Sequence, residues 1–176
     1  MALVKPVLLQ IAGYQDSGKT TVAAGLIERI SSCGWKAVAI KHHGHGGKPA
    51  VYEGKDSGRH VAAGAVASIV EGGGRLVMHA DKAGWSLEEQ VRLAEYFMPE
   101  VVLVEGHKHA GFPKIVLLRG REDFHLLEEL LDIVAVFVMD GGLEVRVRGM
   151  VDVPIFKTGS EEGYGWVLSY IENYLN

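Results

Sequence analysis

Cysteine, long apolar runs and a surplus of positive charge are what this sequence has least of. Cys33 is the single cysteine among 176 residues, so the chain cannot form an internal disulfide. The first residues, Met1 to Pro6, have neither the basic segment nor the apolar segment of a signal peptide. These features predict a cytoplasmic protein.

The charge balance and the short apolar runs argue against two classes of partner. No apolar run reaches the roughly 18 residues that a membrane-spanning helix requires, and Val101–Val104 has only the length of a strand. The 18 basic and 22 acidic residues are interspersed, and the net charge of -4 includes no basic stripe for a nucleic-acid backbone. We therefore expect no membrane insertion and no nucleic-acid partner.

The N-terminal part of the chain has the pattern of a strand, a glycine-containing loop and a helix. Val7–Ala12 is a nearly continuous apolar run, as in a strand buried on both faces. Apolar residues then recur at helical spacing from Val22 to Ile30, and Gly34 stands where a helix would end. Between them, residues 13–20 read Gly-Tyr-Gln-Asp-Ser-Gly-Lys-Thr, which fits the P-loop pattern G-x-x-x-x-G-K-[ST].

Each part of this loop has a chemical reason. Gly13 and Gly18 permit a tight turn whose backbone N–H groups surround an anion at a helix N-terminus. Lys19 is expected to contact the β- and γ-phosphates, Thr20 to bind Mg²⁺ through its hydroxyl, and Thr21 to reach the α-phosphate. The predicted nucleotide-binding residues are therefore Gly13, Tyr14, Gln15, Asp16, Ser17, Gly18, Lys19, Thr20 and Thr21.

A second acidic group is needed to hold Mg²⁺ through water. Glu105 directly follows the apolar strand Val101–Val104 and is the first choice, with Lys19 as its partner in any catalysis. Asp140, after the apolar segment Val134–Met139, is a weaker alternative. Asp56 could also touch the hydrated metal, although Asp56-Ser57 is equally an ordinary start of a helix.

Basic residues and histidines follow two of the predicted strands. Lys41 and Lys108 could bind a second anionic ligand, or could be solvated surface lysines. His42, His43 and His45 lie in a glycine-rich loop, where a phosphate-facing or bland role is favoured over a transition-metal site.

The rest of the chain alternates strand-like and helix-like segments, which predicts an α/β fold of one domain over residues 1–176. With the P-loop, it predicts a three-layer P-loop NTPase-like sandwich with a mainly parallel sheet and an added β-hairpin, which we expect to join that sheet. Further strands are predicted at Ala37–Ile40, Ile115–Leu118 and Val145–Val147, a hairpin at Ala67–Val70 and Leu76–Met78, and helices after a capping box at Ser86 and Glu89 and from Ser160 onwards.

Two elements of many GTPases cannot be found in the sequence. There is no Asn/Thr-Lys-x-Asp segment of the kind that reads guanine, so the residues alone leave the base undetermined. No arginine finger can be assigned, although Arg59 and Arg119 are candidates because they lie near motif segments.

Five segments form a pattern along nearly the whole chain: the P-loop continued as Gly-Lys-Thr-Thr, Lys41-His42-His43, Asp56-Ser57, Glu105-Gly106-His107-Lys108 and Pro113-Lys114-Ile115. In order and spacing, these segments resemble the MobB family, the molybdopterin-guanine dinucleotide biosynthesis adaptor proteins. The chain departs from that pattern at Glu100, where aspartate is commoner, and at His107, where an aromatic residue is commoner.

The resemblance implies a GTP- and Mg²⁺-binding homodimer with slow hydrolysis at most. Its partner would be the guanylyltransferase that joins GMP to molybdopterin. By the same resemblance, residues 13–21 form the nucleotide site and Glu105 is the magnesium-linked acid. Lys41, His42, His43 and Lys108 would lie near the nucleotide or near molybdopterin.

Two alternatives stay open at the level of sequence. One is a small-molecule kinase or ligase that uses ATP, with Lys41 and the histidines binding an acceptor substrate. The other is a nickel-insertion GTPase, favoured by eight histidines and disfavoured by the single cysteine.

Overall fold

The structure is a computed structural model that describes residues 5–44 and 56–175, apart from the side chains of Asp56 and Ser57. These residues form eight strands, six α-helices and a short 3-10 helix at Arg121–Asp123. The strands are β1 Val7–Ala12, β2 Ala37–Lys41, β3 Ala67–Gly72, β4 Arg75–Ala80, β5 Val101–Glu105, β6 Lys114–Leu118, β7 Ile133–Val138 and β8 Ile155–Lys157. The helices are α1 Lys19–Ser32, α2 Asp56–Ala62, α3 Leu87–Glu95, α4 His125–Glu129, α5 Gly141–Val147 and α6 Glu161–Leu175.

Six strands form one parallel sheet in the order β2-β5-β1-β6-β7-β8. The strand order reverses at β1, because β5 lies on one side of it and β6 on the other. Crevices at the carboxyl ends of parallel strands, next to such a reversal, are where α/β proteins bind their ligands. The apolar runs read from the sequence as β1 and β5 are therefore the strands that place the site.

Helices cover both faces of this sheet, which confirms the three-layer α/β prediction. Alternate residues of each strand point to opposite faces. On one face, Leu9, Ile11 and Leu103 pack with residues of α1 and α6. On the other face, α4 and α5 cover the β6–β7 half, and α3 covers β2 and β5.

Local signals set the boundaries of two helices as expected. Gly34, with φ of +80°, follows the C-terminal end of α1, a conformation that glycine adopts most easily. The Ser86 side chain accepts a hydrogen bond from the Glu89 backbone, and the Glu89 side chain accepts one from the Ser86 backbone. The backbone N–H groups of Ser86 and Glu89 at the start of α3 are thereby satisfied.

The predicted hairpin is present as β3 and β4, but its predicted attachment to the main sheet is wrong. Within residues 5–44 and 56–175 the two strands pair only with each other, in an antiparallel register that places Ile69 opposite Met78 and Val70 opposite Val77. Among the described residues, its nearest support is α2, where His60 lies within 3.4 Å of the Ser68 hydroxyl. A two-stranded sheet of this kind has open edges on both sides.

The predicted strand at Val145–Val147 is also wrong, because these residues end helix α5. Asp140 begins that helix by accepting a hydrogen bond from the Gly142 backbone, at 3.1 Å. Leu143 and Val147 are buried at helical spacing, whereas Val145 is exposed. Two valines around Arg146 are too few residues to distinguish strand alternation from a helical period, and the capping residue decided the outcome. Two short elements, α4 and β8, were not predicted.

No helix among the described residues is both long enough and apolar enough to cross a membrane.

Candidate functional site

The loops that follow β1, β2 and β5 meet at the carboxyl edge of the sheet and enclose one large cavity. Its volume is about 1230 Å³. It is lined by Gly13, Tyr14, Gln15, Asp16, Gly18, Lys19, Thr20, Thr21, Lys41, His42, His43, Gly44, Glu105, Gly106, His107, Lys108, His109 and Ala110. Apart from Ser17 and Asp56, every residue predicted to bind nucleotide or metal therefore lines one cavity.

The P-loop turns as its glycines predict. Gly13 has φ of +154°, and a Cβ there would lie 2.6 Å from Ser17 Oγ and 2.8 Å from the Leu117 carbonyl oxygen. Gly18 is left-handed, with φ of +84°, and precedes the first residue of α1. The buried Ser17 lies under the turn, and its N–H donates to the Tyr14 carbonyl at 3.3 Å. The loop thus presents a helix N-terminus to the cavity.

The Lys19 side chain extends back across the P-loop to Tyr14. Its Nζ donates to the Tyr14 carbonyl at 2.6 Å. Burial lowers the pKa of Lys19, Glu105 opposes that shift, and Lys41 adds to it. An ammonium group with a single carbonyl partner in a partly buried position favours an anionic ligand.

Thr20, Lys41 and Glu105 form a closed polar triangle beside the loop. The Thr20 hydroxyl donates to Glu105 Oε1 at 2.8 Å, and Lys41 Nζ lies 3.0 Å from the hydroxyl and 3.1 Å from the same carboxylate oxygen. The pairing of β2 with β5 explains this, because Lys41 and Glu105 occupy matching positions at the strand ends. Two oxygen ligands that already share a cation fit the oxygen preference of Mg²⁺.

Buried polar contacts support the loop after β5. The Gln10 side chain, completely buried in β1, donates to the carbonyls of Gly106 at 3.2 Å and His107 at 2.9 Å. Gly106 has φ of +95°, and a Cβ there would lie 3.0 Å from that of His42. The His42 N–H in turn donates to the Glu105 carbonyl at 2.9 Å. The loops after β2 and β5 are therefore held against each other.

Two histidine rings pack together on the far side of the cavity. The rings of His42 and His107 have centroids 4.5 Å apart and are tilted by 42°. Burial lowers the pKa of His107, and the neighbouring His42 lowers it further. Among the described residues, no group of three histidine, cysteine or acidic side chains could hold a metal ion.

The Tyr14 ring has two positively charged neighbours. Lys108 Nζ lies 4.4 Å from the ring centroid, and the Arg119 guanidinium carbon 5.4 Å. The tyrosine hydroxyl meets His125 Nε2 at 2.8 Å. Both contacts to the ring have the geometry of cation–π interactions.

Arg119 is fully engaged within the chain. Its guanidinium forms two hydrogen bonds with the buried carboxylate of Asp123, at 2.9 and 2.7 Å, and a third with the Gln15 carbonyl at 3.2 Å. Burial raises the pKa of Asp123, but the hydrogen bonds and charge of Arg119, together with the charge of His125, bring it below its usual value. Arg119 therefore supports the P-loop from outside and does not line the cavity.

Four residues proposed from the sequence as candidates for this site either do not line the cavity or have side chains outside the described part of the structure. Asp140 caps α5 and does not line the cavity formed by the described residues. Arg59 lies exposed in α2 and does not line it either. Asp56 begins α2, but its side chain lies outside the described residues, as does the whole of His45.

Five cavity residues, Gly44, Gly106, His107, His109 and Ala110, and one supporting residue outside the cavity had no predicted role. His107 stood inside the Glu-Gly-His-Lys segment, while His109 and Ala110 follow it without a signal of their own. Gln10 was the polar exception in the apolar run of β1, which is a signal for a buried side chain with assigned partners.

Comparison with known proteins bears on the same residues. The family model described as molybdopterin guanine dinucleotide synthesis protein B, MobB, matches residues 8–139, which include the P-loop and Glu105. A Bacillus subtilis protein named a probable molybdopterin-guanine dinucleotide biosynthesis adapter protein is 36% identical over 98% of this chain and 98% of its own length. A Haemophilus influenzae protein, named as an adapter of the same biosynthesis, is 31% identical over 96% of this chain and 89% of its own.

Solved structures agree with the sequence comparison. Bacillus subtilis MobB superposes with a TM-score of 0.75 at 34% identity, over 93% of this chain and 96% of that one. A MobB homolog from Bacillus stearothermophilus gives 0.73 at 28% identity, over 94% and 98%. The hydrogenase maturation factor HypB of Archaeoglobus fulgidus, at 17% identity and a TM-score of 0.52, shares the fold alone. The chain therefore belongs to the family of molybdopterin guanine dinucleotide synthesis protein B, the MobB family.

Proposed function

We propose that this protein is a GTP-binding adapter in molybdopterin guanine dinucleotide biosynthesis. One observation carries the proposal: in a member of this family, the P-loop Gly13–Thr20 and the pair of Thr20 and Glu105 converge on a single cavity. Family membership supplies the pathway, and the cavity supplies the means to bind a nucleotide.

The residues divide the work of binding a triphosphate. The backbone N–H groups of the loop and the N-terminus of α1 would bind phosphate oxygens, and Lys19 would exchange its Tyr14 carbonyl partner for the β- and γ-phosphates. The Thr20 hydroxyl would bind Mg²⁺, and Glu105 would hold the hydrated ion through water. The bound ion would neutralise phosphate charge.

Hydrolysis is proposed to be slow, because charge stabilisation is incomplete. Fast phosphoryl transfer needs an arginine or an equivalent group at the γ-phosphate. Arg119 is held by Asp123 and the Gln15 carbonyl, and Arg59 lies outside the lining of the described cavity. Slow hydrolysis of GTP suits an adapter protein whose function depends on the nucleotide staying bound.

The assembly is proposed to be a cytoplasmic homodimer that works with the guanylyltransferase of the pathway. The hairpin supports the dimer for two reasons. In the described residues its outer edges do not pair with the main sheet, and exposed Ile69 and Met78 lie on one of its faces. The histidine side of the cavity, with Lys108, is where we propose that the phosphorylated pterin could approach.

A calorimetric titration tests the proposal. Purified protein is titrated with GTP, ATP and GDP in the presence of Mg²⁺, and again after addition of the guanylyltransferase. We expect tighter binding of GTP than of ATP and formation of a complex with the enzyme. Preference for ATP without complex formation would instead indicate a small-molecule kinase or ligase.

A further inference from the structure

The position beside the P-loop that suits a metal ion contains a positively charged side chain. Lys41 Nζ lies within hydrogen-bond distance of the two oxygens that our proposed function assigns to Mg²⁺, the Thr20 hydroxyl and Glu105 Oε1. Main-chain pairing produces this arrangement, since β2 and β5 run in parallel with Lys41 and Glu105 in register. The register of β2 against β5 therefore positions the Lys41 ammonium group beside Glu105.

Glu105 needs a cation at this position. Only 12% of its side chain is exposed, and a carboxylate so buried is costly unless it is paired. Thr20 offers it one hydrogen bond, and Lys41 supplies the positive charge. Lys19 does not replace Lys41, because its hydrogen-bond partner is the Tyr14 carbonyl.

Lys41 can also leave. Its side chain is 59% exposed, so rotation toward the cavity costs little packing. A bound polyphosphate would give it a new anionic partner, whereas without phosphate it would lose Glu105 and gain only water. A metal–nucleotide complex can therefore take the place of Lys41 at Glu105, and without a metal ion Lys41 lessens the repulsion between Glu105 and the phosphates.

Resting on the nucleotide site proposed above, we propose that Lys41 acts as a resident cation that neutralises Glu105 until a metal–nucleotide complex displaces it. When the metal is absent, Lys41 stays between Glu105 and the incoming phosphates and shields one from the other. Lys41 thus sets how strongly nucleotide affinity depends on Mg²⁺.

The test measures the nucleotide dissociation constant in EDTA divided by the dissociation constant in Mg²⁺. GDP and GTP are titrated into the wild type, Lys41→Met and Lys36→Met. Lys36 is the matched control, because it is an exposed lysine beside the opposite end of β2 and its loss changes net charge equally. Circular dichroism establishes that each variant is folded.

We expect Lys41→Met to bind nearly as tightly as the wild type in Mg²⁺ but much more weakly in EDTA, because Glu105 then faces the phosphates without a cation. The ratio should rise by about ten-fold or more, the size of a close charge coupling, and remain unchanged in Lys36→Met. Adding Glu105→Gln to Lys41→Met removes the repelling charge and should restore binding in EDTA.

Three results would overturn the inference. If Lys41→Met weakens binding equally with and without Mg²⁺, Lys41 is only a phosphate ligand. If it changes neither affinity, Lys41 has no part in cation exchange. If the wild type binds no nucleotide in either buffer, the proposed function itself fails, so the two failures can be told apart.

Discussion

Buried Lys114 and partly buried Lys19 show how the same direction of pKa shift can accompany different roles. Burial lowers the pKa of both Lys19 and Lys114. Lys114 Nζ donates to the carbonyls of Phe112, at 2.9 Å, and Leu131, so it ties the loop before β6 to the residues before β7. Lys19 has a single carbonyl partner and opens on the cavity. The first lysine is satisfied by the fold, and the second is kept available for a ligand.

Replacing Lys19 by alanine should therefore separate binding from folding. We expect Lys19→Ala to weaken GTP binding by about 10- to 150-fold, because contacts to a charged group contribute roughly 1.5 to 3 kcal/mol. Isothermal calorimetry measures this loss, with exposed Lys36→Ala as the control. Unaltered GTP affinity in Lys19→Ala would refute the proposed role of the loop.

The pKa of Lys19 also predicts a thermal outcome for that variant. Because burial lowers this pKa in the folded state, the charged form is less favourable there than in the unfolded chain, and its penalty is present below the folded pKa and absent above the unfolded one. Lys19→Ala should consequently keep the melting temperature of the wild type at neutral pH, or exceed it. A clear fall in scanning calorimetry would mean that Lys19 is a structural residue.

Elements with strong local signals were predictable, and those decided by partners were not. Strand β1, the P-loop and helix α1 could be predicted from an apolar run, two glycines and apolar residues at helical spacing. These three signals occur in the order that a P-loop requires. The capping box foretold α3 for the same reason. At Val145–Val147, two valines on either side of Arg146 are too few residues to distinguish strand alternation from a helical period, and the helix was decided by Asp140 and by burial of Leu143 and Val147.

The site divided in the same way. Lys19, Thr20 and Glu105 could be placed together because a P-loop and the end of a neighbouring apolar strand share one edge of the sheet. The register of β2 against β5, which sets Lys41 against Glu105, is a property of strand pairing that no single segment encodes. The support of Gly106 and His107 by Gln10 likewise joins residues far apart in sequence.

Helix α6 offers a comparison of two glycines two residues apart. A Cβ at Gly163 would lie 2.9 Å from Phe156 Cβ and 3.0 Å from Phe137 Cζ, whereas a Cβ at Gly165 would meet nothing within 4 Å. We expect Gly163→Ala to destabilise the fold by about 1–3 kcal/mol through overpacking. Gly165→Ala should stabilise it by about 0.5–1 kcal/mol through helix propensity.

Urea unfolding followed by circular dichroism measures both variants. The signs should be opposite, although the chemical change is identical and both sites lie in the same helix. Equal stability of the two variants would show that α6 is not packed against β7 and β8 as closely as the structure indicates.

At the scale of the whole molecule, the main sheet and the hairpin differ in what covers them. The six parallel strands are buried between helices on both faces, whereas β3 and β4 stand apart with exposed apolar side chains. Ile69 and Met78 are cross-strand partners, and Leu76 shares their face. Isolated two-stranded hairpins are marginal in water, so a second covering surface is expected.

We expect that surface to belong to a second copy of the chain, as the proposed homodimer requires. The double variant Ile69→Lys with Met78→Lys places two charges on this face and should convert a dimer into a monomer, because an unpaired charge buried in an apolar interface costs several kcal/mol. Val145→Lys is the matched control, since Val145 is 77% exposed on α5 and away from the hairpin.

Size-exclusion chromatography with light scattering gives the mass of each variant directly. The wild type and Val145→Lys should have twice the mass of one chain, and the hairpin variant should have the mass of one. A hairpin variant that stays dimeric would move the interface elsewhere. If the wild type is monomeric, the exposed face of β3 and β4 is instead expected to bind a different protein. In that case the variant Ile69→Lys with Met78→Lys should abolish the complex with the guanylyltransferase in the calorimetric titration.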